Sequence, residues 1–151
     1  MRSPSAWGGR IPVVVLAIAG LYLSLYLAFF QYGLIGTVWD PLFGDGSRAV
    51  LTSAFSRALP VHDAALGAVA YLAEAVLEAS GGTRRWRDRP WLVLLLGATA
   101  ATMALVAIGL VTIQAVVVGR FCTLCLASAA ISLVVPFLVA REVLAAARLS
   151  R

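Results

Sequence analysis

Residues 11–30 read IPVVVLAIAGLYLSLYLAFF, twenty residues without a charge. A helix rises about 1.5 Å per residue, so this run spans the roughly 30 Å hydrocarbon core of a bilayer. Pro12 falls in the first turn, where its missing N–H costs little. Tyr22, Tyr26 and Tyr32 gather toward the far end, as interfacial aromatics do. A cleaved signal peptide has a shorter apolar core and ends in a small-residue cleavage site. No clear site follows Phe30, so the run is read as a retained helix.

Outward from this run the rest of the chain repeats its character. Of 151 residues, 62% are hydrophobic and 13% charged, against about 45–50% and 25% in soluble domains. A soluble core of this length could not hide so much apolar surface. Residues 64–79, 91–118 and 121–140 supply three further apolar runs. The expected fold is therefore all-α and membrane-integral: one domain over 1–151, a four-transmembrane-helix bundle with helices at 11–30, 64–79, 91–118 and 121–140. The third is rich in Gly, Ala and Thr, which favours close helix approach. Gly119-Arg120 is the turn into the fourth, where Pro136 predicts a kink. In the long polar loop 31–63, Gly44-Asp45-Gly46 signals a turn. Val50, Leu51, Ala54, Phe55 and Leu59 then recur at helical spacing. They predict a short amphipathic helix on the membrane surface, ended by Pro60. Glu74 and Glu78 lie one turn apart near the end of the second helix. Arg84, Arg85, Arg87 and Arg89 follow in the loop 80–90. Both glutamates are expected at the interface facing these arginines, rather than in a proton relay.

The net charge is +5, and all twelve basic residues are arginine. With the N-terminus inside, Arg2, Arg10, Arg84, Arg85, Arg87, Arg89, Arg141, Arg148 and Arg151 are cytoplasmic, and only Arg48, Arg57 and Arg120 lie outside. That orientation obeys the positive-inside rule and its reverse does not. It predicts a multi-pass protein of the cell (inner or plasma) membrane with both termini cytoplasmic. The arginines flank apolar segments and form no basic face interleaved with aromatics. The partner they imply is membrane lipid, not nucleic acid.

One constellation carries chemistry. Phe121-Cys122-Thr123-Leu124-Cys125 opens the fourth helix on the outer side, and the chain has no other cysteine. Two cysteines at i and i+3 share a helix face within disulfide reach. A helix N-terminus stabilises a thiolate, and the outer side is the oxidising one. A redox-active pair is favoured over two small residues packing an interface. No metal is expected, because zinc would need two more ligands and His62 offers at most one. Fingerprints for NAD, flavin and haem attachment are absent, so the fitting electron partner is a membrane quinone, either menaquinone or ubiquinone. Its carbonyl needs one polar group at the mouth of an apolar pocket. Asp63 can be that group, or a helix cap. His62 reads as an interfacial residue able to aid proton transfer.

These features together resemble the vitamin K epoxide reductase family, including its bacterial disulfide-forming members. The likeness is carried by residues 121–125, by the loop segment Val50-Leu51-Thr52-Ser53-Ala54-Phe55-Ser56-Arg57 and by residues 60–71, PVHDAALGAVAY. The resemblance implies a four-helix bundle around a quinone. Cys125 would face the ring and Cys122 would exchange with an incoming thiol. Asp63 falls where the family places a polar group, often Asn, that bonds a quinone oxygen. Ser53 falls on the family's loop serine, and Gly67 and Tyr71 match residues near the pocket. Typical members also carry two loop cysteines that relay electrons to a thioredoxin-like partner. Trp39 and Ser47 stand at those positions here, so the relay is missing.

The leading expectation is a quinone-linked thiol–disulfide oxidoreductase using Cys122 and Cys125, with the direction of electron flow open. An extracytoplasmic thiol protein of thioredoxin-like type is the implied partner. The competing expectation is a non-catalytic scaffold or accessory subunit that retains the fold. A transporter would need more helices and mid-membrane charges.

Overall fold

The computed structural model describes residues 3–151; Arg2, counted above among the cytoplasmic arginines, lies outside them. The uncharged run becomes α1 (Trp7–Gln31). It starts earlier than hydropathy predicts because Arg10 does not mark a polar border. Arg10 is buried, and its guanidinium donates to the carbonyls of Glu78, Ser80 and Gly81. The second run forms α4 (Asp63–Ala79). The third forms α6 (Pro90–Ile113), with Pro90 in its first turn, and continues as one π turn over Gln114–Val118. The fourth forms α7 (Thr123–Leu149), which passes unbroken through Pro136. It extends well past Ala140 because Glu142 and Ala146 are buried against the bundle.

The loops differ from expectation in one respect. The single amphipathic helix is two short ones, α2 (Gly46–Leu51) and α3 (Ala54–Ala58). Ser53 divides them: its Oγ accepts from the Ser56 N–H, so it caps a new helix instead of continuing the old one. A further turn, α5 (Arg85–Asp88), lies between α4 and α6.

The four long helices pack in a closed ring, α1 on α4, α4 on α6, α6 on α7 and α7 on α1. Glycines set the closest approaches. At Gly20 a Cβ would overlap the Tyr71 ring, and at Gly97 it would press on Val143. Two apolar clusters fill the ring. Val13, Leu96, Ala100, Val135 and Val139 form one; Leu27, Ala28, Val50, Leu51, Ala64 and Cys122 form the other. Outside, Tyr22, Leu105, Val116 and Phe137 are each more than two-thirds exposed. Such an apolar exterior is stable against lipid, not water. Among the described residues, three helices (α1, α6 with its π turn, and α7) are long and apolar enough to cross a membrane. At about 1.5 Å per residue, the 17 residues of α4 span roughly 25 Å.

The end of the bundle bearing Arg85 is held by buried charge. Arg85 Nη2 meets Glu78 Oε2 at 2.8 Å and its Nε meets Glu142 Oε1 at 2.5 Å. Arg10 Nε lies 3.9 Å from Glu78 Oε1, and Ser5 Oγ donates to Glu142. The expectation that both glutamates face the inner-loop arginines therefore holds for Glu78 alone. Glu74 is buried inside the bundle with both carboxyl oxygens unpartnered among the described residues.

Candidate functional site

The opposite end of the bundle carries the cysteines. Gly119, at φ 67°, turns the chain sharply after the π turn, in a left-handed conformation that costs glycine little. Cys122 then becomes the N-cap of α7, and its Sγ accepts from the Cys125 N–H at 3.1 Å. Cys122 and Cys125 are joined as a disulfide with Cα atoms 5.1 Å apart. Cys122 is fully buried, while Cys125 is partly open. The backbone N–H of Cys122 donates to Gln114 Oε1 at 3.1 Å, so the π turn holds the start of α7 in place.

Above the pair, the loop is strapped down by one carboxylate. Asp40 Oδ2 accepts from Ser47 Oγ at 2.7 Å, from the Ser47 N–H at 3.1 Å and from the Thr123 N–H at 3.2 Å. Its Oδ1 accepts from Thr123 Oγ1 and from the Phe43 N–H. Burial opposes the Asp40 charge, but the bonds from Thr123, Ser47 and Phe43 prevail and hold its carboxyl well below the usual carboxylate range. The strap seats Ser47 so that its Oγ lies 3.1 Å from Cys122 Sγ. Of the two loop positions compared above with family cysteines, Ser47 is the one hydrogen-bonded to the pair among the described residues. Trp39 is 69% exposed.

Beneath the disulfide lies a cavity of about 380 Å³ walled by α1, α4, α6, α7 and the two loop helices. Leu27, Val50, Leu51, Met103 and Leu110 make it apolar, and Cys125, Gln114, Asp63, Ser128 and Tyr71 add polar atoms. Leu66 of α4 and Val106 of α6 line it and are each about half exposed, so it opens sideways between those helices. All the residues singled out above for binding border this space: Ser53, Asp63, Gly67 and Tyr71, together with Cys125. Asp63 is not a cap; His62 holds that position and Asp63 is the first helical residue. Its Oδ1 accepts from Gln31 Nε2 at 2.8 Å and from Ser56 Oγ at 3.2 Å. The Tyr71 hydroxyl joins the Ser128 carbonyl at 2.6 Å and Ser132 Oγ at 2.7 Å. Gly67 leaves room for Ser24, whose Oγ would sit 3.2 Å from an added Cβ. His62 does not line the cavity; its ring meets Tyr32 edge-on at 4.7 Å.

Gln31, Ser56 and Gln114 escaped the sequence reading. Gln114 had a visible signal, because it is the one side-chain amide in the apolar run 91–118, and polar groups at membrane depth are seldom idle.

The cavity has the size of a small-molecule site, with apolar walls, few polar groups and a lateral opening. A sequence model of the Vitamin K epoxide reductase family matches residues 11–140, most of the chain. No curated protein matches it.

Proposed function

The chain belongs to the vitamin K epoxide reductase family, and from that premise we propose that it is a quinone-linked thiol–disulfide oxidoreductase of the cell membrane. One observation carries the reading: Cys125, disulfide-bonded to Cys122 at the start of α7, opens onto an apolar cavity of quinone size. In this reading both termini are cytoplasmic and the disulfide end faces outward, as the arginine distribution favours.

An outside thiolate attacks Cys122 Sγ, and the Cys125 thiolate leaves toward the cavity. A second outside thiol resolves the mixed disulfide and leaves the Cys122–Cys125 dithiol. Returning the dithiol to the disulfide releases two electrons, for which a quinone held in the cavity would be the acceptor, with two protons completing the quinol. The chain's own groups do the rest. The N-terminus of α7 lowers the cost of thiolate charge, the Ser47 hydroxyl faces Cys122 Sγ, and the apolar walls exclude water. Asp63 when ionised can only accept hydrogen bonds. It thus suits the hydroxyl of a quinol, and holding a carbonyl requires its protonated form. Menaquinone and ubiquinone share this chemistry. Without loop cysteines the outside thiol must come directly to Cys122, from a thioredoxin-like protein or a small thiol.

The competing reading, an accessory subunit that keeps the fold, draws on the cysteine-free loop and on the burial of Cys122. Thiol alkylation of purified, reduced protein with and without a quinone separates the two. The oxidoreductase converts dithiol to disulfide when quinone is added, and Cys125→Ala abolishes quinone reduction. Thiols that ignore both quinone and oxidised glutathione sink the proposal.

A further inference from the structure

The buried face of α4 runs Ala64, Ala68, Tyr71, Glu74, Glu78. Its first half is apolar and its second half is not. Glu78 is accounted for by Arg85 and Arg10. Glu74 is not: it is 0% exposed, and neither oxygen has a hydrogen-bond partner among the described residues. At about 1.5 Å per residue it lies roughly 16 Å below Asp63, within hydrocarbon depth. Burying an unpartnered polar group costs about 1–3 kcal/mol even on protein-derived scales. Structures rarely tolerate that without a use for the group.

What stands on either side suggests the use. One turn toward the disulfide end is Tyr71, whose hydroxyl joins Ser128 and Ser132; all three line the cavity. One turn toward the arginine end is Glu78, joined through Arg85 to Glu142 and so to Ser5. Arg10 from α1 borders the same cluster, and α6 contributes no titratable group. Proton-bearing side chains therefore run from the cavity to the arginine end, and Glu74 is the one member bonded to neither side. A carboxyl lying between the two can carry a proton from one to the other.

We propose that Glu74 passes protons from the cytoplasmic, arginine-rich end of the bundle to the quinone cavity. This rests on the oxidoreductase reading. The balance is simple. Two outside thiols become a disulfide, releasing two electrons and two protons at the outer face. The electrons reach the quinone through Cys122 and Cys125, and the two protons that complete the quinol enter from the opposite side. Each turnover thus consumes two protons inside and releases two outside.

The test uses full-length protein in liposomes, a pH-sensitive dye in the lumen, ubiquinone in the bilayer and glutathione added outside. Glutathione does not cross the bilayer, so it drives only molecules whose disulfide end faces out. The expected result is luminal alkalinisation, with about two protons consumed per quinol formed, as the two-electron couple requires. Glu74→Gln brings that ratio close to zero, and Glu74→Asp, which keeps the acid, restores part of it. Quinol formation with no luminal change in the wild type overturns the proton route alone, as does an unaltered ratio in Glu74→Gln. No quinol at all, with glutathione or with a reduced thioredoxin-like protein in its place, overturns the route and the oxidoreductase reading together.

Discussion

The Ser47 hydroxyl has one proton and two acceptors, Asp40 Oδ2 at 2.7 Å and Cys122 Sγ at 3.1 Å. A hydroxyl donates once. With the disulfide closed, the carboxylate is the better acceptor. Once Cys122 becomes a thiolate, the proton can turn to the sulfur. The same proximity makes a direct test of the geometry. In a Cys125→Ala background, S47C places the only other thiol beside Cys122, and air oxidation should link the two. Polyethylene-glycol maleimide then adds to neither thiol until a reductant is supplied. Ready labelling of both would show that the loop does not sit on Cys122. Asp40 governs the same strap through its charge. Its carboxyl is held below the ordinary range in the folded protein. Its stabilising contribution is therefore complete above the unfolded value of about 3.9 and fades only as pH falls toward the lower folded one. Hydrogen bonds to a charged group are worth roughly 1.5–3 kcal/mol, and partial exposure places Asp40 at the low end. Asp40→Asn should lower the unfolding midpoint by a constant amount between about pH 5 and 8, with the difference shrinking below about pH 4. A difference that grows in acid would refute the assignment.

The elements that hydropathy marks are those whose environment is uniform along their length. The run 11–30 and the run 91–118 are apolar on every side, as lipid and bundle both require, so their positions could be read directly. What hydropathy cannot mark is structure decided by one local bond or one tertiary contact. The break between α2 and α3 comes at the Ser53 cap, and the π turn begins at Gln114, whose amide oxygen accepts from the Cys122 N–H. Burial of Arg10 and Glu142 lengthens α1 and α7 beyond their apolar cores. The cysteine pair was legible because its spacing is itself the chemistry. The proximity of Ser47 to it left no local trace across 75 residues, and only the family resemblance, which sets Ser47 at a relay-cysteine position, pointed to it. The seat of α2 depends on such a contact. At Gly46 a Cβ would overlap the Phe121 carbonyl and approach Phe43 Cβ to 2.8 Å. Gly46→Ala must push α2 off the start of α7. Overpacking of this kind costs about 1–3 kcal/mol. In reduced protein it should also expose Cys122, so the expected result is faster maleimide labelling of that thiol with Cys125 labelling little changed. Equal rates in wild type and variant would mean that α2 does not shield the sulfur.

Across the whole molecule the two ends are secured by different physics, and that difference is testable. The disulfide end is strapped by hydrogen bonds at a partly wet surface. The other end is closed by charges that water does not reach: Arg10, Arg85, Glu78 and Glu142 are each at most 4% exposed. Two arginines and two glutamates balance, so the cluster is neutral as a unit and ties α1, α4, α5 and α7 together. A balanced buried cluster need not contribute much net stability, because desolvation offsets the Coulomb attraction, whereas removing one member strands a charge at a cost of about 3–5 kcal/mol. Arg85→Met leaves the cluster with one excess negative charge and two carboxylates short of donors. Adding Glu142→Leu restores neutrality, with Arg10 still facing Glu78. The single variant should therefore unfold in detergent at a much lower temperature than wild type. The double variant should recover a large part of the loss although it lacks two native ion-pair partners. Mere loss of packing predicts the reverse order, with the double variant the less stable, and thermal unfolding of the three proteins side by side decides between the two.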